Sequence, residues 1–204
     1  MIPEDAFDLL DWKRRVAELY AHVRSESKLE KAWRRWREVR DELFRWHPQS
    51  PIPQDQRGAF TRLPYFDYDP TARVAAQVEH AEPHSYEIAT SGDSIYSFTR
   101  LGTAHFDFNG SALALEIYWL EGYGGGLFVP FRDATAGDTT YGAGRYLLDT
   151  VKGADLGTDD RGRLVLDFNF AYNPSCAYDP KWVCPLAPPP NRLDVPIEAG
   201  ERIN

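Results

Sequence analysis

The chain is short of sulfur, of histidine in its second half, of basic charge and of long apolar runs. Its 204 residues hold two cysteines and one methionine. Cys176 and Cys184 lie too far apart for the CxxC of a zinc ribbon or a thioredoxin-type pair, and a tetrahedral zinc would need two more ligands. His80, His84 and His105 fall in different strand-like segments, so spacing does not bring them to those cysteines, and no metal or cofactor is expected. The histidines end at His105, which leaves the later chain without an imidazole to activate a cysteine or serine. Lys and Arg number 23 against 31 Asp and Glu, a formal net charge of -8. Phosphate neutralisation needs a basic patch, so no nucleic-acid partner is expected. The local basic run at 31–40 is interrupted by apolar residues at helical spacing and reads as a solvated helix face. No segment approaches the roughly 18 apolar residues of a membrane span, so no membrane partner is expected. The acidic first dozen residues do not resemble a signal or transit peptide. A cytoplasmic location is the expectation, with the cysteines as local thiols or as a pair that closes the loop between them. Gly124–Gly126 precede an apolar strand, not a helix, which argues against a phosphate-cradling loop.

Apolar residues make up 43% of the chain and aromatics 14%, enough for one sizeable core at this length. Residues 4–24 and about 28–46 carry apolar positions at helical spacing. Ser27 and Glu30 form a capping-box pattern ahead of the second helix, whose stripe of Trp33, Trp36 and Phe44 reads as core. A proline-rich loop follows at 47–70. From about 72 the pattern turns to short strands, with Asn109-Gly110 as a hairpin signal and Pro130 marking a strand edge or bulge. RYLL at 145–148 and 163–170 read as further strands, and DVPI at 194–197 as a last one. The expected fold class is α+β, mainly antiparallel β, barrel-like or sandwich, with two N-terminal helices and a long irregular C-terminal segment. Residues 1–204 read as a single domain, 1–46 as a helical hairpin packed on it, and 72–204 as a β-rich core.

Chemically able side chains concentrate between Asp138 and Cys184. An arginine fork binds carboxylate or phosphate through two parallel hydrogen bonds. Arg145 is therefore a candidate anchor for an anion, and Asp167 a candidate base or orienting group. The alternative is an ion pair of Arg145 with Asp167 or Asp133 that only locks the loop. Asp167 and Asn169 share one face if 163–170 is a strand. Thr140, Tyr141, Asn169, Tyr172, Asn173 and Tyr178 complete a candidate ligand-binding set, although Asn169 and Asn173 equally suit loop backbone groups. Tyr172 joins Asp167 and Arg145 among the catalytic candidates.

The segments LFVPFRDATAGDTTYGAGRYL, LDFNFAYNPSCAYDPKWVCPLAPPPNRL and IEAGE, in that order, resemble the domain of unknown function 1684 family, as do the Ser50-Pro51 pair and the FxxLPYF-like run at 60–66. The resemblance spans nearly the whole chain. It implies a shared fold and the same site region, and no reaction. Three readings remain open: a small polar or anionic ligand site built from the 138–146 loop and the 167–184 segment, a small-molecule hydrolase or other acid–base enzyme using Asp167 and Arg145, or a structural or protein-interaction domain. Oligomeric state is not read from the sequence.

Overall fold

A computed structural model describes residues 3–203; the outermost residues of the single-domain span, 1, 2 and 204, lie outside the described residues. Two helices, α1 (Pro3–Ser25) and α2 (Leu29–Trp46), precede six strands: β1 (Arg73–Ala89), β2 (Ile95–Phe108), β3 (Ser111–Leu120), β4 (Leu127–Phe131), β5 (Arg145–Asp149) and β6 (Leu164–Asp167). The sheet is antiparallel throughout, in the order β5-β4-β3-β2-β1-β6. It curls into a nearly closed barrel. The residues after β6 return to β5, where Tyr146 N–H donates to the Tyr172 carbonyl at 2.9 Å and Tyr172 N–H to the Tyr146 carbonyl at 3.0 Å. The α+β, barrel-like expectation is therefore what the chain forms.

Several local expectations are corrected. Where short strands are expected from about 72, residues 73–108 form two long ones. Pro83 sits where the register of β1 shifts, between His80 and His84, so the strand bulges and bends at the proline instead of ending there. The capping box at Ser27 does not form. Lys28 takes the cap position without a side-chain bond, while the Glu26 carboxylate accepts from Lys28 N–H at 3.0 Å and from the Lys31 ammonium at 2.7 Å. Residues 194–197 form no strand; they run beside the 132–134 loop through Ala134 N–H to Val195 O at 3.1 Å. Asn109-Gly110 is the left-handed hairpin turn that dipeptide favours, with φ of 51° and 81°. Pro130 lies at a register shift between β4 and β5, the bulge that a missing N–H requires.

The helices share the barrel's core. Trp36 has no exposed surface and meets Phe170 edge-on at 5.2 Å. Phe106, Phe108 and Phe131 all pack on Phe168 at 5.2–5.7 Å. A second apolar cluster of Ile88, Phe98, Tyr118, Phe128 and Tyr146 fills the other end of the sheet. The C-terminal residues cross the barrel as a strap that turns at Gly200. Its φ is +79°, and a Cβ there would lie 2.6 Å from the Phe168 carbonyl and 2.7 Å from that of Ala171. Backbone atoms cannot yield as a flexible side chain does, so Gly200→Ala is expected to cost about 1–3 kcal/mol in urea denaturation. Unchanged stability would show that the strap turns differently.

Candidate functional site

The two halves of the stretch expected to carry the site separate into a locked interior and an open cavity. Arg145, at the start of β5, is 1% exposed. It does not face Asp167. Its guanidinium donates to the carbonyls of Ala199 at 2.5 Å, Ile197 at 2.9 Å and Glu201 at 3.2 Å, and to the Asp133 carboxylate at 3.3 Å. Of the pairings read from the sequence it takes the one with Asp133. That carboxylate also accepts from Ile197 N–H and the Thr135 hydroxyl, each at 2.7 Å, and Thr135 shares a 2.8 Å hydroxyl bond with buried Thr140.

Asp167 is fully buried. The strand breaks there, because residues 168–170 form a 3-10 turn capped by the Asp167 carboxylate. Alternation along a strand is therefore not what brings Asp167 and Asn169 together. The turn does, with Asn169 Nδ2 donating to Asp167 at 2.9 Å. Arg73 reaches the same carboxylate at 3.5 Å. Burial raises the Asp167 carboxyl above its ordinary value, against the bonds from Asn169 and Arg73. Asn169 also clasps Asp69, accepting from its N–H at 2.9 Å and donating to its carbonyl at 2.7 Å.

Tyr172, Asn173 and Tyr178 gather around a residue outside the candidate set, Glu201. This carboxylate has no exposed surface. It accepts from Arg40 at 2.7 Å, Asn173 N–H at 3.1 Å and the Tyr178 hydroxyl. The Arg40 guanidinium lies over Trp36, Phe44 and Tyr172 at 4.8–5.1 Å and donates to the Tyr65 hydroxyl at 2.9 Å.

The open site lies at the other end. A cavity of about 310 Å³ opens between α1, the outer ends of β2–β4, the turn at 149–152 and the segment 175–185. Trp12, Phe98, Leu120, Phe128, Trp182 and Pro185 give it apolar walls, and Asp149, Lys152, Ser175 and Cys184 put polar groups among them. The 149–152 turn is held by paired backbone bonds between Asp149 and Ala154, both 2.9 Å, and Lys152 Nζ lies 3.3 Å from the Asp149 carboxylate. The facing segment is tied down from three directions. Trp182 Nε1 donates to Pro51 O at 3.3 Å, the Tyr146 hydroxyl to Pro185 O at 2.5 Å, and Leu186 N–H to Ala89 O at 2.9 Å.

Both cysteines belong to this segment as free thiols, Cys184 on the cavity wall and Cys176 outside its lining. The Tyr141 hydroxyl reaches Cys176 Sγ at 3.8 Å, so this pair does join the 138–146 loop to the 167–184 segment. The Cys184 thiol also donates to the Cys176 sulfur. These bonds, the one from Cys184 above all, outweigh burial and lower the Cys176 thiol to about 6. The same contact, with burial, raises Cys184. Burial and the bond to Cys176 push Tyr141 up to about 12. Among the described residues no three His, Cys, Asp or Glu side chains converge as metal ligands, and no helix is long and apolar enough to cross a membrane.

Sequence reasoning missed the cavity because its walls come from seven separated pieces of chain. It missed Arg40 and Glu201 because each reads locally as an ordinary helix or tail residue. The run Trp182-Val183-Cys184 was the one local signal, since Val183 stays 45% exposed at the cavity's edge.

A solution NMR structure of an uncharacterized protein of Haloarcula marismortui is similar to this chain. The two are 39% identical, with a TM-score of 0.62 over 85% of this chain and 94% of that one. No curated protein matches. The family model described as "Protein of unknown function (DUF1684)" matches residues 58–202, and the chain belongs to that family.

Proposed function

We propose that the protein binds a small molecule with a flat apolar body and an anionic or polar head, in the cavity between α1 and the 149–152 and 175–185 segments. The observation that carries this reading is the combination of size and lining. A space of about 310 Å³ falls at the lower end of the ligand-site range, roughly 300–1,000 Å³, and mostly apolar walls with a few convergent polar groups are the usual make-up of such sites. The stacked pair Phe98 and Phe128, 5.2 Å apart, forms a rigid floor for an apolar body. The Lys152 ammonium at the rim supplies the charge for an anionic head. This keeps the ligand class expected from the sequence and moves the anion-binding role from Arg145 to Lys152.

An acid–base reading built on Asp167 and Arg145 has less support, because the hydrogen-bonding groups of both are turned to neighbouring chain inside the fold. A thermal-shift screen of small aryl and alkyl carboxylates tests the proposal. A ligand at about a hundred times its Kd adds about 2.7 kcal/mol of stability. Lys152→Met is expected to weaken such a ligand about tenfold, the value of one exposed-to-half-buried charge-assisted bond, while leaving the melting temperature of the free protein nearly unchanged. Equal affinity in wild type and Lys152→Met would remove Lys152 from the site. Absence of any stabilising carboxylate, with Arg145→Ala still folded and binding anions elsewhere, would overturn the assignment of the cavity.

A further inference from the structure

We propose that the cavity takes an aromatic α-amino acid as its zwitterion, with the ligand's ammonium on Asp149, its carboxylate on Lys152 and its ring on the aromatic floor. The inference rests on the ligand reading above and names the class of that ligand. Its starting point is the Asp149 carboxylate. Asp149 is 6% exposed and ends β5 at the cap position of the 3-10 turn Thr150–Lys152. Asp69 and Asp167 hold the same position in their own 3-10 turns, and each accepts there from a backbone N–H two residues on. The Asp149 side chain makes no such bond. Its partner among the described residues is the Lys152 ammonium, at 3.3 Å. A buried carboxylate is ordinarily both paired and well hydrogen-bonded. This one is turned away from its own turn, and it lines the cavity.

The sheet sets this carboxylate beside the floor. Asp149 lies opposite Phe128 in the β4–β5 register. Residues directly opposite share one face, with Cβ atoms about 4.5–5.5 Å apart. Phe128 in turn stacks on Phe98 at 5.2 Å, and all three residues line the cavity. Lys152, at the end of the turn, keeps half of its side chain exposed and so stands at the rim. An aromatic surface, a buried carboxylate and an open ammonium are therefore neighbours.

The spacing of the protein pair matches that of an amino acid's own charges. Standard bond lengths and angles hold the ammonium nitrogen roughly 2.7–3.6 Å from the oxygens of its carboxylate. The Asp149–Lys152 separation of 3.3 Å falls within that span. Laid antiparallel to the pair, the zwitterion meets each protein charge with the opposite one, and the four alternate in sign around a ring. Ligands with a single charge do less. A simple aryl carboxylate on Lys152 sits close to the Asp149 carboxylate, and like charges that share a site repel. A simple arylalkylamine on Asp149 meets the same opposition from Lys152, and Lys13 adds a second ammonium to the lining.

The test is calorimetric titration of the full chain at pH 7 with probes that differ by one group. Phenylalanine and tryptophan carry ring, ammonium and carboxylate. 3-Phenylpropionate lacks the ammonium, phenethylamine lacks the carboxylate, and alanine lacks the ring. In wild type the better of the two amino acids is expected to bind about tenfold or more tighter than each of the other three, the value of one further charge-assisted bond. Asp149→Asn keeps the shape and has no cap bond to lose. It is expected to weaken the amino acid about tenfold, with 3-phenylpropionate bound as in wild type or more tightly. Lys152→Met should weaken the amino acid and 3-phenylpropionate and spare phenethylamine. The wild-type series needs no variant to fold. 3-Phenylpropionate bound as tightly as the amino acids in wild type, or an unchanged ratio between them in Asp149→Asn, would overturn the amino-acid assignment and keep the cavity as an aryl carboxylate site. Stabilisation by other aryl carboxylates with neither amino acid binding would do the same. No response to any aryl carboxylate, amino acids included, would reject the assignment and the ligand reading together.

Discussion

Arg145→Met is expected to lower the stability of the protein by about 3–5 kcal/mol, the cost of removing one partner from a buried ion pair. Methionine fills much of the volume but donates nothing. Asp133 loses its charge partner, and the carbonyls of Ile197, Ala199 and Glu201 lose their donors together. Asp133 keeps the Ile197 N–H and Thr135 hydroxyl, so the charge is left hydrogen-bonded but uncompensated. Domains of this kind are stable by roughly 5–15 kcal/mol in total, which makes this loss about a fifth or more of the whole. Urea denaturation should show a fall in midpoint at unchanged slope. Arg145→Lys is expected to fall between wild type and Arg145→Met, because an ammonium restores the charge without the fork that reaches three carbonyls in one plane. A loss under about 1 kcal/mol for Arg145→Met would mean that the strap is held by other contacts, and would return Arg145 to the list of groups free to bind a ligand.

That arginine shows where sequence reading works and where it stops. Periodicity made the helices legible, since Trp33 and Trp36 fall on one face of α2 and both are buried. Alternation and the Asn109-Gly110 turn made the antiparallel sheet legible, and Pro130 announced its bulge. What sequence does not carry is the partner of a buried polar group. Arg145 and Asp133 lie twelve residues apart and were weighed together, but the carbonyls that complete the site lie more than fifty residues on. Asn191 is a similar case. Its side chain donates to the carbonyls of Glu116 at 3.0 Å and Pro130 at 2.7 Å and so staples β3 to β4, yet in the sequence it is only the asparagine of a proline-rich turn. Asp167 shows a different limit. Its strand was read correctly up to the residue itself, after which a side-chain cap diverts the backbone, and alternation has no term for a cap. The cysteines lay in plain view, and their spacing neither required nor excluded the contact that the fold makes between them.

Glu201→Ala is expected to be as damaging as Arg145→Met, again by about 3–5 kcal/mol, and for a reason that a second substitution can isolate. The alanine leaves the Arg40 guanidinium buried among Trp36, Phe44 and Tyr172 without its carboxylate, and leaves Asn173 N–H and the Tyr178 hydroxyl without their acceptor. Glu201→Gln keeps the shape and an accepting oxygen, and so separates charge from hydrogen bonding. Burial raises the Glu201 carboxyl above its ordinary 4.5, against the pull of Arg40 and the bond from Tyr178. A raised folded value means that the native state binds the proton more tightly than the unfolded chain does. The stabilising contribution of that proton is complete below 4.5 and is lost as pH rises through the folded value. Glutamine does not titrate. The stability of wild type minus that of Glu201→Gln should therefore decline as pH rises from 4.5 toward neutrality, whatever the other carboxylates do, because they are common to both proteins. A difference that grows with pH would show that Arg40 and the donors around Glu201 outweigh burial. The segment IEAGE would then hold an ion pair that strengthens the fold at neutral pH, instead of a carboxylate held in place at a cost by the strap that carries it.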